Sequence, residues 1–180
     1  MFESYTAWVR ELPFTSAFVQ FAVLGTLGEL LPWWLKHRRT LPCTRTQFMG
    51  KVLGWGLLGL LIKLGFLMMK GATTATIDHG LLPESFRQGL GWAFSVSVLT
   101  NLFFGPQMMF GHRLWDNVIL RQRNWIGLEK AWWTLIWFWI PAHTLTFSLP
   151  PDYQIGLAAL WSIVLGVILG FTTRKGKAAA

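Results

Sequence analysis

The chain has 180 residues, of which 53% are hydrophobic and only 13% charged, with 12 Trp, 14 Phe and a formal net charge of +8. A soluble domain of this size cannot hide so much apolar surface, so the composition excludes an ordinary water-soluble fold and points to lipid as the solvent. The positive charge does not mark a nucleic-acid-binding face, because the basic residues sit in short loops between apolar runs rather than on one polar surface.

The opening stretch, MFESYTAWVRELP, carries acids where a signal peptide would carry bases, and no small-residue cleavage site follows. Neither a cleavable secretory signal nor an Arg-rich transit peptide is expected. The first apolar segment, near 14–35, places Ala22, Gly25 and Glu29 on one helical stripe with Gly28 beside it. A basic connection follows, and its Cys43, the only cysteine, rules out an intramolecular disulfide or a multi-cysteine metal site. The second segment, near 47–69, aligns Gly56, Gly59 and Lys63; the third, near 89–110, aligns Ser97, Asn101, Gly105 and, beyond its end, His112. Residues 113–126, RLWDNVILRQRNWI, alternate apolar with basic and amide residues at helical spacing. They predict a helix on the inner membrane surface or a prolongation of the third span. The fourth segment, near 131–149, carries Pro141 and His143 in mid-run. A PPD turn then leads into the fifth, near 153–172, and the closing GKAAA reads as an unstructured tail.

Each segment is long enough to cross the roughly 30 Å hydrocarbon layer as a helix. The expected fold is therefore all-α, a single polytopic membrane helix bundle of five spans over residues 1–180, with an interfacial helix after span three. Charge sets its orientation. Lys36, Arg38, Arg39, Arg45, Lys51, Arg113, Arg121, Arg123, Lys130, Arg174, Lys175 and Lys177 fall on one side, against Arg10, Lys70 and Arg87 on the other. Basic residues stay cytoplasmic, so the N-terminus is expected outside and the C-terminus inside. Trp33, Trp34, Trp132 and Trp133 then sit at the inner headgroup level.

Polar groups within lipid are costly unless they face other helices or water, so they mark the bundle interior. Glu29 and Lys51 lie at similar depth and suit an ion pair, whereas Lys63, about four turns from Glu29, either snorkels outward or lines a wet cavity. His143 and Asn101 share mid-depth. Pro141 cannot donate to the carbonyl of Trp137, so a kink and a hinge are expected there, with Thr144 and Ser148 on the same face to satisfy freed backbone. His112 and Asp116 have the i, i+4 spacing of a metal half-site, but the sequence shows no second cluster to complete it, and a capping role is expected instead. No metal or cofactor is predicted. Gly166 and Gly170 form a GxxxG pair that suits close packing within the chain or across a homo-oligomer.

Three stretches together resemble a known family. LGTLGELL (24–31) is similar to an early G-x-G-D region, with Glu29 as the acid. TNLFFGP (100–106) resembles D-Q-x-x-F-x-P through Asn101, Phe104 and Pro106. WFWIPAHTLTFSLPPDY (137–153) resembles W-x-x-W-P followed by N-F-x-x-V-P through Trp137, Pro141, Phe147 and Pro151. The family is that of the small mitochondrial inner-membrane and peroxisomal membrane proteins of the Mpv/PMP type; Thr100, Ile140 and Ile155 depart from its pattern. The resemblance implies a small multi-span protein of a group thought to form membrane channels, and the acidic N-terminus with the positive-inside charge pattern points to a prokaryotic relative in the cytoplasmic membrane.

The leading functional expectation is a channel or transporter for small polar or anionic solutes rather than an enzyme. Its polar cavity would be lined by Glu29, Lys51, Lys63, Asn101, His143, Thr144 and Ser148. The alternatives are a non-transporting membrane scaffold that packs through its glycine faces, and an enzyme acting on a lipidic substrate with His112, Asp116 or His143 as acid–base groups. No nucleophile–base pair supports the last of these.

Overall fold

The structure, a computed structural model, describes residues 2–36 and 41–172, with side-chain surroundings over 3–35 and 41–168. Arg38, Arg39, Arg174, Lys175, Lys177 and the GKAAA tail lie outside the described residues, and so do the surroundings of Gly170. The described chain is predominantly helical, without strands: α1 (Phe2–Glu11), α2 (Pro13–Lys36), α3 (Arg45–Asp78), α4 (Gly89–Leu99), α5 (Gly105–Ile119), α6 (Leu128–Thr134), α7 (Ile140–Ser148) and α8 (Pro151–Thr172). Three helical segments, Pro13–Leu35, Arg45–Asp78 and Pro151–Ile168, are long and apolar enough to cross a membrane. The other two expected spans are helical but interrupted. One π turn, Thr100–Phe104, joins α4 to α5, and a second, Leu135–Trp139, joins α6 to α7.

Both interruptions have the same local cause. A proline ring collides with the carbonyl four residues back and offers it no N–H. In each rod the proline, Pro106 or Pro141, sits two residues past a π turn. The wider winding is closed by Gly105 N–H donating to the Thr100 carbonyl, and by Ile140 N–H donating to that of Leu135. The bend expected at Pro141 is thus a π turn ahead of it, a form that recurs at functional sites.

Several boundaries differ from the sequence reading. The second segment was placed at 47–69, yet α3 runs on to Asp78. Thr73, Thr74 and Thr76 return their hydroxyls to the carbonyls of Met69, Lys70 and Thr73, so this polar stretch stays helical. Thr44 and Gln47 start the helix with a reciprocal capping box. At its far end Arg87 bonds Asp78 and Glu84 at 2.9 and 2.8 Å, and its guanidinium holds the Glu84 carboxyl below the usual carboxylate range. The interfacial helix is not a separate element. Residues up to Ile119 prolong α5, then the chain turns through Arg121, whose φ is 52°, with the Asn117 side chain accepting from the Asn124 N–H.

The helix α1 was not anticipated. It is tied to the start of α8 by Arg10, which donates twice to one oxygen of Asp152 at 2.6 and 2.8 Å, and by the stacked rings of Tyr5 and Tyr153. Tyr5 also donates to Gln20 on α2.

The rods close a ring: α2 packs on α3, α3 on α4 and α5, α4 on α7, α7 on α8, and α8 back on α2. Small residues let them approach. Gly59 faces the Ala17 backbone, Gly56 faces Phe18, and Gly28 faces the backbone of Ser162 while Gly166 faces that of Gly28. The Gly166 half of the GxxxG pair is therefore engaged within the chain. Beside an apolar core of Phe21, Phe66, Val96 and Phe147, the bundle buries many polar side chains and exposes many large apolar ones. Ser16, Thr73, Ser97, Thr100, Asn101, Thr134 and Thr146 are buried, while Val23, Leu27, Leu57, Leu61, Phe103, Ile136, Leu145 and Leu160 are exposed.

Candidate functional site

Two polar centres and a chamber between them occupy the middle of the ring. The first centre joins α4, the first π turn and α7. Asn101 is the second residue of that turn and is only 1% exposed, and His143, on α7, is 9% exposed. The Asn101 amide nitrogen donates to the Ser97 carbonyl at 2.8 Å and to His143 Nδ1 at 3.1 Å. Because the amide donates, Nδ1 is the acceptor and the imidazole proton belongs on Nε2. No described protein group accepts from that Nε2–H. Around the imidazole stand Phe66, Trp139 and Phe147, with ring centroids 5.4, 5.0 and 5.9 Å away. Ser97 also donates to the carbonyl of Ile140 at 2.7 Å, which pins α4 to α7 beside the pair.

Breaking this pair on one side alone should be costly. Asn101→Leu is expected to lower stability by about 1–3 kcal/mol, because it leaves His143 Nδ1 buried without a donor. Asn101→Leu combined with His143→Phe should recover part of the loss, which thermal unfolding in detergent would measure.

The second centre lies where α2 ends and α3 begins. Lys51 is 4% exposed, and its ammonium sits between Glu29, 22% exposed, and Asp116, 14% exposed. It donates to the Glu29 carboxylate and, at 3.0 Å, to Asp116. Trp55 Nε1 donates to the other Glu29 oxygen at 2.8 Å, and His112 Nε2 lies 3.7 Å from Asp116. Glu29, His112 and Asp116 therefore converge, with ligand-type atoms within 4.8 Å of one another. The half-site at His112 and Asp116, expected to stand alone, gains its third member from α2. Lys51 already supplies the cation that the two carboxylates need.

The chamber, of about 110 Å³, is lined from every rod: Phe21 on α2, Trp55, Leu58, Ile62 and Phe66 on α3, Asn101 and Phe104, Met108 and His112 on α5, Leu135, Trp139 and His143, and Ala158 and Ser162 on α8. From Trp55 to Phe66 the α3 wall is roughly 16 Å long at 1.5 Å per residue. Trp55 and His112, with ring centroids 4.5 Å apart, separate the chamber from the ion cluster, and the Asn101–His143 pair forms its polar patch.

The expected pore residues thus divide. Glu29 with Lys51, and Asn101 with His143, are brought together as two pairs. Lys63 is half-buried on α3 and is not part of the chamber wall. Thr144 and Ser148 do not line it either; they return their hydroxyls to the carbonyls of Ile140 and Leu145 at 2.7 Å. The reason is angular. At 100° per residue Pro141, Thr144 and Ser148 share a face, whereas His143 and Phe147 point to the opposite one. Pro141 and Ser148 are exposed, and His143 and Phe147 are buried. The sequence reading had counted both faces as interior. It also passes over Trp55 and does not pair Asp116 with Lys51, although Asp116 is legible as an acid at the same end of the bundle as Lys51.

No family model matches this chain, and comparison with curated proteins and with solved structures finds no match.

Proposed function

We propose that this chain is a membrane transport protein that passes small solutes through the chamber at the centre of a five-span bundle. In this reading the two π-interrupted rods, Gly89–Ile119 and Leu128–Ser148, cross the bilayer alongside α2, α3 and α8. The N-terminus lies outside the cytoplasmic membrane and the C-terminus within the cell, as the basic loops direct. The exposed apolar residues on all five rods suit acyl chains, and the buried hydroxyls suit a polar interior.

The observation that carries the reading is the chamber itself, walled by all five rods and bordered by a buried ion cluster and a buried amide–imidazole pair. Irregular helices are tolerated at membrane depth where they are buried in protein or line a cavity, and broken helices flank the substrate sites of many transporters. The motif resemblance to the Mpv/PMP proteins, a group thought to form channels, supports the same class.

The test is solute flux in reconstituted liposomes, with glycerol and urea followed by light scattering and chloride by an indicator dye. Purified protein should raise the flux of at least one solute above that of protein-free vesicles. Ala158→Leu, which fills the chamber from α8, should abolish most of that increase. Flux equal to that of protein-free vesicles for the whole panel would overturn transport in favour of the scaffold reading.

A further inference from the structure

The chamber wall has a composition that narrows what could occupy it. Among the described residues its lining holds no lysine, arginine, aspartate or glutamate; it is built from aromatic, aliphatic and methionine side chains with a few neutral polar groups. The Lys51 ammonium is already committed to Glu29 and Asp116 behind the rings of Trp55 and His112, and that of Lys70 to Gln154. An anion entering the chamber would therefore lose its hydration and find no counter-charge, a cost that a few neutral dipoles do not offset. A cation would meet the same penalty.

The polar patch nevertheless has an unused valence. The Asn101 amide occupies Nδ1 of His143 and leaves Nε2–H as a donor for which no described protein group accepts. Among apolar side chains such a donor favours a molecule that brings an acceptor. The volume sets the size. An apolar cavity of about 150 Å³ admits benzene, so about 110 Å³ suits a molecule of about four or five non-hydrogen atoms.

We propose that the chamber is a binding site for small neutral molecules with a compact apolar body and one hydrogen-bond acceptor, a carbonyl or ether oxygen, which is received by Nε2–H of His143. This rests on the chamber being the solute site, and it replaces the polar or anionic solute class with a neutral one. The apolar body would pack among Phe66, Phe104, Leu135 and Trp139, and the oxygen would face the imidazole.

Three probes of matched size separate the alternatives: cyclobutanone, methylcyclobutane and propionate. The protein, in detergent micelles and labelled with nitrogen-15 histidine, reports through its imidazole N–H resonances. The His143 signal is assigned by its loss in His143→Gln or, should that variant not fold, by elimination among the other three histidines. Cyclobutanone should move the His143 Nε2–H resonance downfield and saturate. It should bind about two- to tenfold more tightly than methylcyclobutane, whose binding leaves that proton unshifted. Propionate should do neither, and Ala158→Leu should remove the response. An unshifted His143 signal with cyclobutanone, equal affinity for the hydrocarbon, or preferential binding of propionate would each overturn the proposal. The outcome is separable from transport: cyclobutanone binding without liposome flux keeps this site and removes the transport reading, whereas flux without binding does the reverse.

Discussion

Replacing Lys51 with methionine is expected to lower the stability of the bundle by about 3–5 kcal/mol, the cost typical of removing one partner from a buried charge pair. The ammonium is the shared counter-ion of two carboxylates that arrive from different helices, Glu29 from α2 and Asp116 from α5. Without it, two like charges are left close together and largely removed from water. The Trp55 N–H on Glu29 and His112 near Asp116 soften this repulsion but do not neutralise it. Since Glu29 and Asp116 keep some exposure, the lower end of the range is the better expectation. The sign of the control matters more than the magnitude. Lys51→Met combined with Glu29→Gln and Asp116→Asn removes every formal charge of the cluster and should restore most of the loss, as neutral replacements of buried ion pairs commonly do. Thermal unfolding in detergent, followed by circular dichroism, reads both. A Lys51→Met midpoint equal to wild type would mean that the carboxylates reach water and that the cluster does not hold α2, α3 and α5 together.

Part of this cluster was legible before any coordinates, because depth along a span follows from residue count. Lys51 and Glu29 fall at matching levels, and they pair. The inward stripes were legible for a related reason: small and polar residues at three- and four-residue spacing have no place facing lipid. Ala22, Gly25, Gly56, Gly59, Ser97, Asn101 and Gly105 are all buried. What hydropathy cannot register is a change in winding. LIWFW is equally apolar as α- or π-helix, so the change of winding ahead of α7 leaves no trace in the pattern. Nor could spacing reveal that Asp116 meets Lys51, because that meeting depends on how far α5 runs past the expected end of the third span. The end of α3 was missed because its threonines look like a loop until their hydroxyls are seen bonded to the preceding turn.

A methyl group added at two glycines of this chain should change stability in opposite directions. At Gly28 a Cβ would lie 2.6 Å from the carbonyl carbon of Ser162 and 2.8 Å from the nitrogen of Ile163, both backbone atoms that no rotamer change can move aside. Gly28→Ala must therefore drive α8 away from α2, and a cost of about 1–3 kcal/mol is expected from overpacking of this kind. At Gly71, within α3, the same methyl meets nothing within 4 Å. Gly71→Ala should then express only the helix preference of alanine over glycine, a gain of about 0.5–1 kcal/mol. Unfolding midpoints of the two variants, measured side by side, should bracket wild type. If both were stabilised, the α2–α8 crossing would be looser than the approach of Gly28 to Ser162 requires. The contrast also reaches the chamber, since Ala158 and Ser162 form its α8 wall. Displacing that helix enlarges the cavity without touching His143, so Gly28→Ala should weaken retention of a small bound molecule while leaving its hydrogen-bond donor in place.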